Sequence, residues 1–168
     1  MSVLTILMGL SAPSYSEFIS KRKVAGAANL VATFFEDVKI ESIKRNEFAS
    51  ISYKKAENGD DWCLGAVIGR EVSCDCMAET PECLIDGTPS VLTNESHAHF
   101  TGVEAVLNEG MISFDPVRGI LTDPTDSAAI EIKHDSEDFT VNISVNGTGR
   151  VRKCSPSDHK LVGYATCT

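Results

Sequence analysis

The feature that most constrains the fold is a periodic apolar stretch at residues 20–46, SKRKVAGAANLVATFFEDVKIESIKRN. Its apolar residues recur at three- and four-residue spacing, which places them on one stripe of an α-helix: Val24, Ala27, Ala28, Val31, Phe34, Phe35 and Val38. Such a stripe has to pack on another element. Because short alternating runs and turn residues fill the rest of the chain, we predict an α+β fold, with one long N-terminal helix on antiparallel β-sheets.

An apolar segment precedes this helix. Residues 2–12, SVLTILMGLSA, carry no charge, and they are too few to span a hydrocarbon core, which needs about 20 residues. A cleaved secretory signal is one interpretation. No basic residue precedes the run, however, and it continues directly into the helix, with Pro13 as an internal kink. We therefore predict a truncated hydrophobic helix segment at 1–19 and a globular domain at 20–168, divided into an amphipathic helix at 20–46 and sheet at 47–168.

Alternating and turn-bounded runs after residue 46 predict a series of strands. The predicted strands are residues 49–54, 62–68, 98–100, 105–107, 112–114, 120–122, 128–133, 139–145 and 150–154. The strongest tight-turn signal is NGTG at 146–149, directly before the last of them. The long irregular segment 69–95 needs covalent cross-links in a compact domain.

Six cysteines in 168 residues indicate an oxidising compartment and three disulfides: Cys63, Cys74, Cys76, Cys83, Cys154 and Cys167. A structural zinc site is disfavoured because the sequence contains no CxxC motif. Cys154 and Cys167 would close one loop. The other four cysteines allow three pairings, but Cys74 and Cys76 are too close in sequence to pair easily, so we expect each to bond to Cys63 or Cys83.

The charge is unevenly distributed. The formal net charge is -9. Residues 71–138 contain fifteen acidic and two basic residues, whereas residues 149–168 contain four basic residues against Asp158 alone. An acidic protein is a poor general binder of polyanions, yet a local basic end can still contact phosphate.

Several motifs, in order, resemble the GspH/FimT/FimU branch of type IV minor pilins and pseudopilins. They are APSY at 12–15, IKRN at 43–46, GDDWCLG at 59–65, ISFDPVRG at 112–119 and GRVR at 149–152. The resemblance covers nearly the whole chain. The family's leader, its Gly-Phe cleavage site and the acidic residue that follows are not found, so the chain resembles a member truncated at its N-terminus.

The resemblance implies a non-enzymatic structural subunit that primes pilus assembly at or near the fibre tip. Its expected partners are other major and minor pilins, and the inner membrane through the N-terminal helix, with the globular domain in the periplasm and later in the extracellular fibre. No cofactor, metal or small-molecule substrate is expected. The stripe residues Val24, Val31, Phe34, Phe35 and Val38 are the expected assembly helix, and Leu30, Ile40 and Ile43 leave further apolar surface for a partner.

The GRVR segment is the strongest candidate binding site. In a strand, Arg150 and Arg152 project from the same face about 7 Å apart, near the spacing of successive phosphates. FimT-type members carry a Gly-Arg-x-Arg motif linked to DNA binding in natural transformation, which Gly149 to Arg152 matches. The predicted DNA-binding residues are therefore Arg150, Arg152, Lys153 and Lys160, with Gly149 as part of the motif. Alternatively, the arginines pair with acidic residues or protect a sheet edge.

Other arrangements are weaker. His97 and His99 could bind a metal together, but ordinary surface histidines are the favoured interpretation. Ser155, Asp158 and His159 are adjacent in sequence, which indicates a loop and not a catalytic triad. A GspH-like pseudopilin of a type II secretion system is the alternative function, and a small secreted disulfide-bonded binding domain is the second alternative.

Overall fold

The computed structural model describes residues 2–56, 61–80, 82–96, 98–107, 110–134 and 138–167, with side chains described from Tyr15 onward. One long helix, α1 (Ser2–Arg45), precedes all the strands. The strands are β1 (Ala49–Lys55), β2 (Trp62–Ile68), β3 (Leu84–Ile85), β4 (Thr88–Pro89), β5 (Val91–Thr93), β6 (Val103–Leu107), β7 (Gly110–Phe114), β8 (Ala128–His134), β9 (Thr140–Val145), β10 (Val151–Ser155) and β11 (Ala165–Thr166).

The strands form two main sheets and one small hairpin. The four-stranded sheet has the order β5-β2-β1-β7, and the five-stranded sheet has the order β11-β10-β9-β8-β6. Neighbouring strands are antiparallel except for β10 and β11, which are parallel. Strands β3 and β4 form a two-stranded hairpin. The predicted α+β fold, one long helix on antiparallel sheets, is confirmed.

The apolar stripe of α1 lies against the sheets. Val24, Val31 and Phe35 are buried, and the helix contacts β1 and the β8, β9 and β10 strands. Strand residues from both sheets complete the same core, among them Ile51, Leu64, Ile130 and Ile143. The helix therefore joins the two sheets, because its buried face contributes to one continuous apolar cluster.

The end of α1 is defined by its local sequence. Asn46 adopts a left-handed conformation, with φ 56°, which asparagine tolerates better than most residues. The Asn46 N–H donates to the carbonyl of Ile43, and the Glu47 N–H donates to the carbonyl of Ser42, both at 3.2 Å. These two bonds form a Schellman motif, and the basic Lys44 and Arg45 in the last turn favour the same helix end electrostatically.

Pro13 lies within the N-terminal part of α1, and the helix continues through it without a break. Across the portion of the chain that the structure describes, no helix combines the length and hydropathy needed to cross a membrane.

Two predicted strands are absent from the structure. Residues 98–100 form a 3₁₀ turn, Ala98–Phe100, which brings the Phe100 ring edge-on to Trp62 at 4.9 Å between centroids. The turn also sets His99 against the helix, where a Cβ on Gly26 would lie 2.6 Å from the imidazole. Residues 120–122 make only an isolated bridge between Leu121 and Phe114. In both segments, tertiary packing overrides the alternating pattern.

All six cysteines are paired, as predicted. The disulfides are Cys63–Cys76, Cys74–Cys83 and Cys154–Cys167. The first two lie together over Gly65, where a Cβ would come within 2.2 Å of the Cys83 sulfur. Each closes a short loop, which stabilises the fold by about 3 kcal/mol in the chain-entropy estimate. They fix the irregular segment between β2 and β5.

Candidate functional sites

The GRVR segment forms an exposed basic surface at the beginning of β10. Arg152 pairs in register with Ser144 of β9, and both alternate with inward-facing residues, so Arg152 lies on the sheet face opposite the helix. Arg150 directly precedes the strand and is also exposed. Together with Ala165 and Thr166, the two arginines line a shallow cleft of about 420 Å³.

The charges of the two arginines are not neutralised by the acidic residues that the structure describes. Among the residues that the structure describes, the ion pairs do not include Arg150 or Arg152. In this part of the chain, therefore, the guanidinium groups are not paired with acidic residues. Each can donate several hydrogen bonds to a planar or tetrahedral anion.

Of the two predicted lysines, Lys153 also lines the cleft, whereas Lys160 is not part of its lining. Strand alternation turns Lys153 to the helix side, where its Nζ donates to Asn29 Oδ1 at 2.7 Å. Lys160 forms an isolated β-bridge with Thr140 at the far end of β9. Thr140 lies about 14 Å along the strand from Ser144. The basic residues that line the cleft are therefore Arg150, Arg152 and Lys153, and the ammonium group of Lys153 is bound by Asn29.

Gly149 has a structural role in the motif. Its φ is +68°, and a Cβ at this position would lie 1.9 Å from the carbonyl oxygen of Gly119. The Gly149 carbonyl accepts a 3.0 Å hydrogen bond from Lys39 of the helix, and its N–H donates to Asn146 O at 2.7 Å. Glycine is needed here because two loops and the helix meet at this backbone, and Arg150 is positioned as a result.

The C-terminal disulfide lies beside the same surface. Cys154 pairs with Ala165 in the parallel β10–β11 register, and its sulfur bonds to Cys167. The disulfide holds the last residues of the chain against β10. Reduction would release one side of the cleft.

Four of the five residues of the predicted assembly helix form the stripe that packs on the sheets. Val24, Val31, Phe35 and Val38 are buried within their own subunit, so they cannot contact another subunit while this fold is intact. Phe34 is half-buried and remains accessible. From Tyr15 onward, the exposed large apolar side chains of the helix are Tyr15, Phe18, Ile40 and Ile43, the last two of which were predicted as partner surface.

The serine, aspartate and histidine near the C-terminus do not form a nucleophilic site. The buried Ser155 hydroxyl donates to the carbonyl of Thr140 at 2.7 Å and accepts from the Leu161 N–H at 2.8 Å. The His159 imidazole instead lies 3.6 Å from Asp138 and 3.5 Å from Asp158. Ser155 therefore stabilises the loop that follows β10.

Metal-ligand clusters are absent from the residues that the structure describes. His97, one of the two histidines considered as metal ligands, lies outside those residues. His99 lies against Gly26 of the helix.

The helix, the two sheets and their order define a pilin-like fold. Two solved structures with this fold are crystal structures of the type IV minor pilin FimU from Pseudomonas aeruginosa, in space groups P21 and P65. The first has a TM-score of 0.52 at 17% identity and covers 85% of this chain and 99% of the FimU chain. The second has a TM-score of 0.50 at 18% identity, with coverages of 81% and 99%. Family models and curated protein sequences gave no match.

Proposed function

We propose that this protein is a structural subunit of a type IV pilus, of the minor pilin kind, which acts in assembly at or near the fibre tip. The observation that carries the proposal is the architecture: a 44-residue N-terminal helix with one face on the sheets and apolar side chains exposed on the other. The same fold occurs in a minor pilin over most of both chains. No catalytic role is proposed.

In this proposal the N-terminal half of the helix anchors the subunit in the inner membrane before assembly and lies in the fibre afterwards. The globular domain is then periplasmic and later extracellular. Three disulfides are consistent with folding in an oxidising compartment. The test is fractionation: fibres sheared from the cells that produce this protein should contain it in small amounts relative to the major subunit.

We also propose that the Arg150–Arg152 surface binds DNA through the phosphate backbone. The support is that both arginines are exposed, line the same cleft and are not ion-paired in the described chain. Because the contact is with phosphates, the binding is expected to be independent of base sequence and strongly salt-dependent.

The DNA proposal predicts that Arg150→Ala/Arg152→Ala weakens the retardation of short duplex DNA at low salt by at least about tenfold. The slope of the logarithm of the binding constant against the logarithm of the salt concentration should also become shallower by about 2, because each arginine neutralises one phosphate. The matched control is Lys44→Ala/Lys160→Ala, which removes the same charge at two exposed lysines outside the cleft and should bind nearly as the wild type does. Equal retardation by the wild type and the arginine variant would rule out this site.

A further inference from the structure

A second cleft lies between α1 and the β3–β4 hairpin, away from the arginine surface. Its volume is about 330 Å³, and its apolar lining includes Phe34, Val38, Ile85 and Pro89. Asp37 and Glu41 of the helix also line it, so an acidic rim borders an apolar floor. We refer to this cleft as the hairpin groove.

The hairpin groove is held in shape by covalent and ionic contacts. The Cys74–Cys83 disulfide ends directly before β3. At the turn of the hairpin, Asp86 forms a two-pronged ion pair with Arg45, and the same guanidinium contacts Glu41. The hydrogen bond from Arg45 lowers the pKa of Asp86, so the pair persists at neutral pH. A preformed groove loses less conformational entropy when it is occupied.

Asp37 supplies the uncompensated charge of the groove. Glu41 is paired with both Lys44 and Arg45. Asp37 is exposed, and the ion pairs of the described residues do not include it. An occupant with one cation beside an apolar side chain would match the groove in both charge and polarity.

The same chain carries such a segment near the beginning of the helix. Tyr15 and Phe18 are 69% and 50% exposed, and the Arg22 guanidinium lies 4.7 Å from the centroid of the Phe18 ring. Like Asp37, Arg22 does not take part in the ion pairs of the described residues. Tyr15, Phe18 and Arg22 point away from the sheets and therefore cannot reach the groove of their own subunit.

We propose that the hairpin groove of one subunit receives the Tyr15–Phe18–Arg22 surface of a second copy of this chain, with Arg22 facing Asp37. This inference rests on the proposed function of a fibre subunit and names the contact that two copies make. The two helices would lie side by side, displaced by about 24 Å, the axial distance from Phe18 to Phe34. The contact joins two different surfaces, so it leaves a free groove on one copy and a free aromatic surface on the other.

The test is site-specific cross-linking combined with charge exchange on the full-length protein in mild detergent. A photoreactive phenylalanine at position 18 should cross-link to a second copy, and mass spectrometry should locate the product within residues 34–41 or 84–90. Asp37→Lys and Arg22→Glu should each weaken self-association by at least about tenfold, because each places like charges opposite one another. The double variant Arg22→Glu/Asp37→Lys should recover it.

Glu36→Lys is the matched control for Asp37→Lys. It makes the same charge change on an exposed helix residue outside the groove, so its self-association should match that of the wild type. Cross-links to other residues, a monomeric wild type, or a double variant that stays as weak as the single variants would overturn the proposed contact. Absence of the protein from fibres, with the cross-link and the charge exchange intact, would overturn the fibre function and leave the contact standing.

Discussion

Replacing Phe35 with alanine is expected to destabilise the protein by about 3–5 kcal/mol. The side chain is 1% exposed and lies in the one apolar cluster to which the helix and both sheets contribute. Its removal would leave a cavity at the junction of these elements. The long helix and the paired strands around it cannot move far enough to fill that cavity. Denaturant titration under non-reducing conditions, followed by circular dichroism, measures the change in the free energy of unfolding.

Phe18→Ala is the matched control for this prediction. Phe18 is the same residue type on the same helix, but it is half exposed and faces away from the sheets. Its truncation should change the free energy of unfolding by no more than about 0.5 kcal/mol. If Phe35→Ala cost less than about 1 kcal/mol, or no more than Phe18→Ala, the helix would not be packed as described.

Gly149→Ala is expected to destabilise the protein by about 3 kcal/mol. The left-handed conformation alone costs about 1–2 kcal/mol for a residue with a Cβ. The methyl group would also lie 1.9 Å from the Gly119 carbonyl oxygen, so one of the two loops would have to move. The same denaturant titration measures the loss.

Gly87→Ala separates the cost of the left-handed backbone from the cost of the steric clash. It also has a positive φ, +71°, but a Cβ there meets no atom within 4 Å. Gly87→Ala should therefore cost only the backbone component, about 1–2 kcal/mol. Equal losses at the two positions would contradict the close approach of Gly149 to Gly119.

The sequence was sufficient for the helix and most strands because these elements depend on local periodicity. The stripe from Val24 to Val38 indicated a buried helix face, and the run at 62–68 matched a strand at the same bounds. The short separation of Cys74 and Cys76 indicated that they do not bond to each other, but the choice between the two remaining pairings required the fold.

Other features depend on contacts that periodicity does not encode. A stripe shows that Val31 is buried, but which strands cover it is decided by the fold of the sheets. The direction of Lys153 was decided by the register of β10 on β9. Likewise, the role of Gly149 depends on Gly119, a residue thirty positions earlier in the chain.

The assignment as a fibre subunit is tested most directly by where the protein is found. Surface fibres are sheared from cells that produce it, purified away from membranes, and probed with an antibody, with a periplasmic protein and an inner-membrane protein as contamination controls. The proposed function predicts the protein in the fibre fraction at a low, constant ratio to the major subunit. Fibres that are normal in amount but free of this protein, together with a loss of protein export when its gene is deleted, would contradict it and favour the secretion-system pseudopilin.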